Sequence, residues 1–310
     1  MIKRTLYFSS PAYISSTLTQ LKVKIPAVEK NLPIDLREEF ITTTPIEDIG
    51  LVILDNPQIT ITHRAIQALA ENNCAIIFCD GRSMPHSLTL PMEGNTLLGE
   101  RSRNQTNASL PTKKQLWQQT VQAKIANQSA LLKSCTSTVT SNMERWATEV
   151  RSNDSTNLEA RAAVYYWSNL FPKELSFIRD RDGAPPNNLL NYGYSILRAI
   201  IARALVGTGL LPALGIFHSN KYNAYALADD IMEPYRPYVD SVVLAIVRSG
   251  LDFTHLSKEV KYELLSIPTL DVSINNLTRP LINAATITTS SLYKCLIKEE
   301  RKILYPQMAK

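Results

Sequence analysis

Apolar residues along this chain change their period once. Before Pro91 they alternate in steps of two, and from Leu116 onward they recur at helical spacings. A step of two lines one face of a strand, whereas a step of three to four lines one stripe of a helix, so the chain must divide into a β-rich part and a helical part. Residues 4–9 alternate, Leu21-Lys22-Val23-Lys24-Ile25 alternates strictly, and residues 49–54 form a short apolar run closed by Asp55-Asn56-Pro57. Residues 58–62, 75–79 and 87–90 read as further strands, with a short helix over 65–71. Leu116, Val121, Ile125 and Leu132 then mark helical spacing. Between the two patterns, Pro91-Met92-Glu93-Gly94-Asn95 and the polar run Arg101 to Asn107 predict a solvated linker near residues 91–110. The expected fold is α+β: a small, sandwich-like β-rich domain over residues 1–95, followed by a larger all-α domain over residues 96–310. That division suits ~150 residues per domain.

Within the helical part, one segment concentrates chemistry. From Gly215 to Pro237, His218 stands ahead of Asp229, Asp230 and Glu233. A helix over residues 222–232 would put Asp229 and Glu233 at i, i+4, and Asp230 and Glu233 one turn apart, so at least two carboxylates can share a face. Like charges that close repel, and a cation between them removes the repulsion. Oxygen ligands with one imidazole suit magnesium or manganese. Pro234 weakens the helix at Glu233 and frees that carboxylate to turn toward a ligand. The plain alternative is a solvated acidic face behind a core histidine. It leaves unexplained why Phe217-His218 closes an apolar run that begins at Ile200. Glu159, near the start of a helix opening at Leu158, is either a third ligand or an exposed carboxylate favoured by the helix dipole. Spacing alone does not bring it to His218.

Charge is divided as unevenly as periodicity. Residues 1–100 carry eight basic and eleven acidic side chains, net −3, while residues 101–310 carry twenty-five and seventeen, net +8. The excess around the candidate site would attract a polyanion and gain from counterion release on DNA, or is simply a solvated surface. No uncharged apolar stretch reaches eighteen residues, so no membrane partner is expected. Met1-Ile2-Lys3-Arg4-Thr5 lacks the features of a secretory leader, which makes the cytoplasm the expected location. Cys74, Cys79, Cys135 and Cys295 show no Cys-x-x-Cys spacing and read as buried thiols. Neither a phosphate-binding Gly-x-x-x-x-Gly-Lys loop nor a Gly-x-Ser-x-Gly elbow occurs. His63, His86 and His255 have no paired carboxylates nearby in sequence.

Taken together, Leu158-Glu159-Ala160-Arg161-Ala162-Ala163, Phe217-His218-Ser219 and Leu227 to Pro237 resemble motifs of the CRISPR-associated integrases, the catalytic subunits of spacer acquisition. Asn187 to Tyr194, Lys3 to Phe8, Leu51 to Asp55 and Ile59 to Thr62 extend the resemblance over nearly the whole chain. It looks closest to the short forms that accompany type II systems. The resemblance implies a metal-dependent DNA endonuclease and integrase that inserts short duplexes into a repeat array, with Glu159, His218 and Glu233 as catalytic ligands of Mg2+ or Mn2+. Asp230 would bind the ion directly, through water, or take the other ring proton of His218. Arg161, Lys221, Arg236 and Arg248 are candidates for phosphate contacts, and Tyr192, Tyr194 and Tyr222 for stacking on a terminal base. The implied partners are double-stranded DNA, a second copy in a homodimer formed through the acidic first domain, and a small second acquisition subunit bridging two dimers. Other type II adaptation proteins are open as partners. A stand-alone nuclease on branched DNA and a DNA-binding scaffold without chemistry are the rival readings.

Overall fold

The computed structural model describes residues 3–26 and 41–308; Met1 and Ile2 of the amino-terminal segment lie outside them. In chain order the first unit contains β1 (Arg4–Phe8), β2 (Tyr13–Thr17), β3 (Gln20–Lys24), β4 (Thr42–Pro45), β5 (Ile49–Leu54), β6 (Thr60–Ile61), α1 (His63–Glu71), β7 (Ala75–Cys79) and β8 (Pro85–Thr89). The apolar run of β5 is buried at every position, as a strand covered on both faces requires. It lies between β1 and β7, parallel to both, and β8 returns antiparallel on β7. A second sheet runs β4-β3-β2-β6. Ile14 and Leu21 from one sheet meet Val52 and Ile76 from the other, with Leu69 of α1, in a shared apolar core. That arrangement is sandwich-like. β2 and β4 escape the sequence reading because Ser and Thr fill most of their positions, inward ones included.

The chain divides between residues 96 and 97. The second unit holds α2 (Leu98–Asn107), α3 (Leu110–Cys135), α4 (Ser141–Glu149), α5 (Leu158–Leu170), α6 (Asn187–Thr208), α7 (Ala226–Met232), α8 (Arg236–Arg248), α9 (Lys258–Leu264), the hairpin β9 (Asp271–Ile274) and β10 (Leu277–Pro280), and α10 (Leu281–Leu296). The expected linker at residues 101–107 is instead helical. Its polar side chains are not all solvated, for Gln105 is buried and donates to the carbonyls of Leu211 and Leu214, both at 3.0 Å, while accepting from Leu211 N. The hairpin is a β element the helical expectation omits. Asn275 and Asn276 both have positive φ, at 50° and 60°, which suits the tight connection of a two-residue hairpin.

α6 is the core helix. Among the described residues it alone is long and apolar enough to cross a membrane, yet 83% of its tested stretch is buried within the protein. Gly193 lets α8 approach closely, since a Cβ there would lie 2.5 Å from Val239 Cγ1. α3, 26 residues long, is capped by Ser109, whose side chain accepts from Thr112 N. It packs against α4, α5 and the 3-10 turn Glu233–Tyr235, and thereby collects the elements that carry the site.

Candidate active site

Glu159 owes its position to a cap. Asp154 accepts from the backbone N–H groups of Leu158 and Glu159, both at 2.9 Å, satisfying the first turn of α5 and fixing where its second residue points. Glu233 is placed by the change from α7 to the 3-10 turn at Pro234. Asn127 of α3 holds that turn by donating to the Pro234 carbonyl at 2.8 Å. The two glutamates, 74 positions apart in sequence, meet on one cation. Lys124 Nζ lies 2.6 Å from Glu159 Oε1 and 2.6 Å from Glu233 Oε2.

Burial pulls the Lys124 ammonium's pKa down, but the Glu233 and Glu159 carboxylates more than reverse that, leaving it above the ordinary lysine value. Burial likewise pushes Glu233 up, and the charges of Arg236 and Lys124 bring it below the usual carboxylate range. Arg236 Nη2 reaches Glu233 Oε1 at 2.9 Å. Its guanidinium also lies over the Tyr194 ring, 4.7 Å from the centroid. Tyr194 is itself anchored through its hydroxyl on Asp240 at 2.5 Å, which Tyr166 also serves at 2.7 Å. Burial raises Asp240 to about 6 against the pull of those two hydroxyls.

His218 is built from the loop between α6 and α7. Gly215 allows that loop to close, because a Cβ there would sit 2.3 Å from the His218 carbonyl oxygen and 2.8 Å from Asp230 Oδ2. Asp230, its side chain fully buried, accepts from the amides of Ile216 (2.7 Å), Phe217 (2.9 Å) and His218 (3.2 Å), and its Oδ1 lies 2.5 Å from His218 Nδ1. A carboxylate already accepting three N–H groups meets the ring as an acceptor. Nδ1 therefore carries the proton, and the neutral ring keeps its lone pair at Nε2. The hydrogen bond to Asp230 raises the His218 pKa, opposed by partial burial and helped by the charges of Asp230, Glu233 and Asp229. Asp230→Asn is expected to bring that pKa down toward the ordinary histidine value in an NMR titration of the ring protons. An unmoved titration would mean that another group dominates the shift.

Trp117 seats the histidine on the helix that carries Lys124. Phe217 stacks on it with centroids 4.2 Å apart, and the His218 ring meets it edge-on at 5.7 Å. Trp117 and Lys124 are two turns apart on one face of α3, ~10 Å along its axis. His218 and Glu233 are also near enough that each shifts the other's titration.

Of the roles open to Asp230, the structure supports orientation of His218, since its four contacts and full burial leave no free side for a cation. The expected pooling of carboxylates on one face of α7 does not form. Asp229 is held by Arg198 (2.6 Å) and Asn223 (2.8 Å), and the helix starts only at Ala226. Tyr192 is a correction: with 0% exposure it is core of α6 and cannot stack on DNA. Tyr194 is spent on Asp240 and Arg236. Arg161 lies over the Trp146 ring at 4.8 Å, and Arg248 Nη2 donates to Cys135 O at 2.8 Å. Cys135 is eighteen residues from Trp117, ~27 Å along α3, so Arg248 is remote from His218. Lys221 and Tyr222, by contrast, line a cavity of about 480 Å³ with His218, Asn220, Thr106 and Lys113, and Tyr222 is 83% exposed.

The donor set fits a hard divalent cation: two carboxylates and an imidazole nitrogen. Glu233 Oε2 is buried against the Lys124 ammonium at 2.6 Å. Among the described residues no three His, Cys, Asp or Glu side chains stand close enough together to hold one ion as they are placed. The carboxylates are held by an ammonium instead. Sequence reasoning missed Lys124, although a charged residue seven positions after Trp117 and three after the buried Val121 falls on the apolar stripe of α3, which was a usable signal.

The profile of the CRISPR associated protein Cas1 family matches residues 13–269. The CRISPR-associated endonuclease Cas1 of Neisseria meningitidis serogroup C (strain 8013) is 37% identical over 233 residues, 75% of this chain and 76% of that protein. A casposase bound to its integration product shares the fold with a TM-score of 0.75 at 20% identity, over 98% of this chain and 92% of that one. A Cas6-RT-Cas1–Cas2 complex contains a chain that superposes with a TM-score of 0.70 at 21% identity, covering 99% of this chain and 36% of that one. On the family profile and the Neisseria relative, the chain belongs to the Cas1 family of CRISPR-associated proteins.

Proposed function

We propose that this chain is the integrase of CRISPR adaptation, a metal-dependent DNA endonuclease and strand-transferase that inserts short duplexes at a repeat. The observation carrying the reading is the meeting of Glu159 and Glu233, from separate elements, at one buried positive charge. The endonuclease name of the Neisseria relative and the integration product in the casposase structure support it. Glu159, Glu233 and His218 Nε2 would hold Mg2+ or Mn2+. Such an ion, when bound, neutralises charge growing on the phosphate oxygens and acidifies the attacking 3′-hydroxyl.

The chain's own residues do the rest. Asp230 keeps Nε2 free and aimed, Asp154 fixes Glu159 on its helix, and Arg236 steadies Glu233 from its other oxygen. Lys221, Tyr222 and Lys113 offer charge and a stacking surface for a backbone phosphate and a terminal base beside His218. In the exchange, the incoming 3′-hydroxyl gives up its proton and bonds through oxygen to phosphorus, while the bond from phosphorus to the repeat's 3′-oxygen breaks and that oxygen takes up a proton to leave as a hydroxyl. One phosphodiester replaces another, so no external energy source is needed.

Two repeat ends need two such sites, which a homodimer with two-fold symmetry supplies; the acidic first unit is its proposed surface. The small Cas2-type subunit is the proposed bridge between two dimers, supported by the Cas1–Cas2 complex of the same fold. Type II affiliation, with any further adaptation proteins of that type, is the subtype proposed from the motifs and the Neisseria relative. The cytoplasm is the proposed location. The test is incubation of a labelled 3′-hydroxyl duplex with the chain, its small partner, manganese and a supercoiled plasmid bearing the repeat. Label joined to plasmid supports the integrase. Cleavage without joining supports a stand-alone nuclease, and binding of the duplex without either supports a scaffold.

A further inference from the structure

Charges around Glu233 are balanced before any metal arrives. Glu159 and Glu233 bring two negative charges, and Lys124 and Arg236 bring two positive ones at 2.6 to 2.9 Å. Lys124 is not a surface group that drifted inward, for its side chain is only 12% exposed and it projects from the middle of α3. Its helix packs on both elements that carry the glutamates. One ammonium thus touches both carboxylates, which would otherwise repel each other across a poorly solvated gap.

We propose that Lys124 is the resident counterion of the acidic pair: it holds Glu159 and Glu233 in register when no divalent ion is bound, and it competes with that ion for them. This rests on the reading of Glu159, His218 and Glu233 as a metal site. Two consequences follow for the DNA-free protein. The site keeps its shape without metal, so apo protein is stable. Metal affinity is set below what two carboxylates and an imidazole could give, because the entering ion must displace or tolerate a neighbouring positive charge. Lys124 is on this account a positioning residue that acts through the glutamates.

Manganese binding to DNA-free protein, followed by EPR of the free ion and by calorimetry, tests the proposal on wild type, Lys124→Met, Lys124→Gln and Glu159→Gln. Removal of the ammonium is expected to tighten manganese binding about tenfold, within the usual range of coupling between charged sites. It should also lower the apo Tm and make that loss reversible by manganese. Glu159→Gln is expected to weaken binding by at least about tenfold. Affinity unchanged or weakened in both Lys124 variants, with wild type binding manganese normally, would overturn the role of Lys124 and leave the metal site standing. Failure of wild type and variants alike to bind manganese would overturn the metal site itself, and the competition with it. Failure of both Lys124 variants to fold even in millimolar manganese also overturns the proposal, since a placeholder becomes dispensable once its replacement is present.

Discussion

His218→Ala is expected to cut manganese-supported strand transfer by about a thousandfold while leaving duplex binding and the melting temperature nearly unchanged. A lost cation ligand forfeits several kcal/mol of transition-state stabilisation, and each 1.36 kcal/mol is about tenfold in rate. Stability should hold because the ring side chain is 45% exposed and its neighbours do not depend on it. Asp230 retains three backbone donors after the ring is gone, and Phe217 remains stacked on Trp117. Steady-state strand transfer, gel-shift titration and a thermal melt on the same preparation separate these quantities. Transfer within about tenfold of wild type would remove His218 from the chemistry.

Gly215→Ala should do the opposite, coupling loss of activity to loss of stability. The added methyl would overlap the His218 carbonyl, a backbone atom that cannot step aside without moving the loop, and would press on Asp230 Oδ2. Once the loop shifts, a buried carboxylate loses N–H donors. An unsatisfied buried group of this kind costs about 1–3 kcal/mol, and more when charged. The expected result is a fall of several degrees in Tm with strand transfer reduced at least about a hundredfold, because the ring is no longer aimed. Gly99→Ala is the control. Nothing lies within 4 Å of a Cβ at that position, and alanine in the first turn of α2 is neutral to favourable. Equal behaviour of the two variants would show that loop closure at Gly215 is not what positions His218.

How much of this was legible beforehand depends on the kind of interaction. Strands and helices with uninterrupted periodicity were readable: the apolar run of β5 falls where the pattern put it, and α3 carries Leu116, Val121, Ile125 and Leu132 at the helical spacing that marked them. β2 and β4 were not, because an edge or half-exposed strand filled with Ser and Thr carries too little hydrophobic contrast. The polar run at residues 101–107 misled for a related reason. Its Gln105 is buried by hydrogen bonds to loop carbonyls, an interaction that composition reads as solvation.

In the site, residue types were legible and partnerships were not. Asp229, Asp230 and Glu233 sit within five positions of one another, which suggested a common ligand. The fold assigns them three separate tasks: Asp229 to Arg198 and Asn223, Asp230 to the His218 loop, and Glu233 to Lys124 and Arg236. Those assignments depend on which helix faces lie opposite, and local spacing holds no information about that. Tyr192 and Tyr194 show the same limit, two positions apart yet one sealed in the core and the other hydrogen-bonded to Asp240.

The account turns on whether Glu159, Glu233 and His218 grip a single divalent ion. An anomalous difference map from a manganese-soaked crystal asks this directly. One peak is predicted about 2.0–2.4 Å from an oxygen of each glutamate and from His218 Nε2, with the Lys124 ammonium displaced from its bridging position. A crystal that takes up manganese elsewhere, or shows no peak there while Lys124 still spans the two carboxylates, would contradict it.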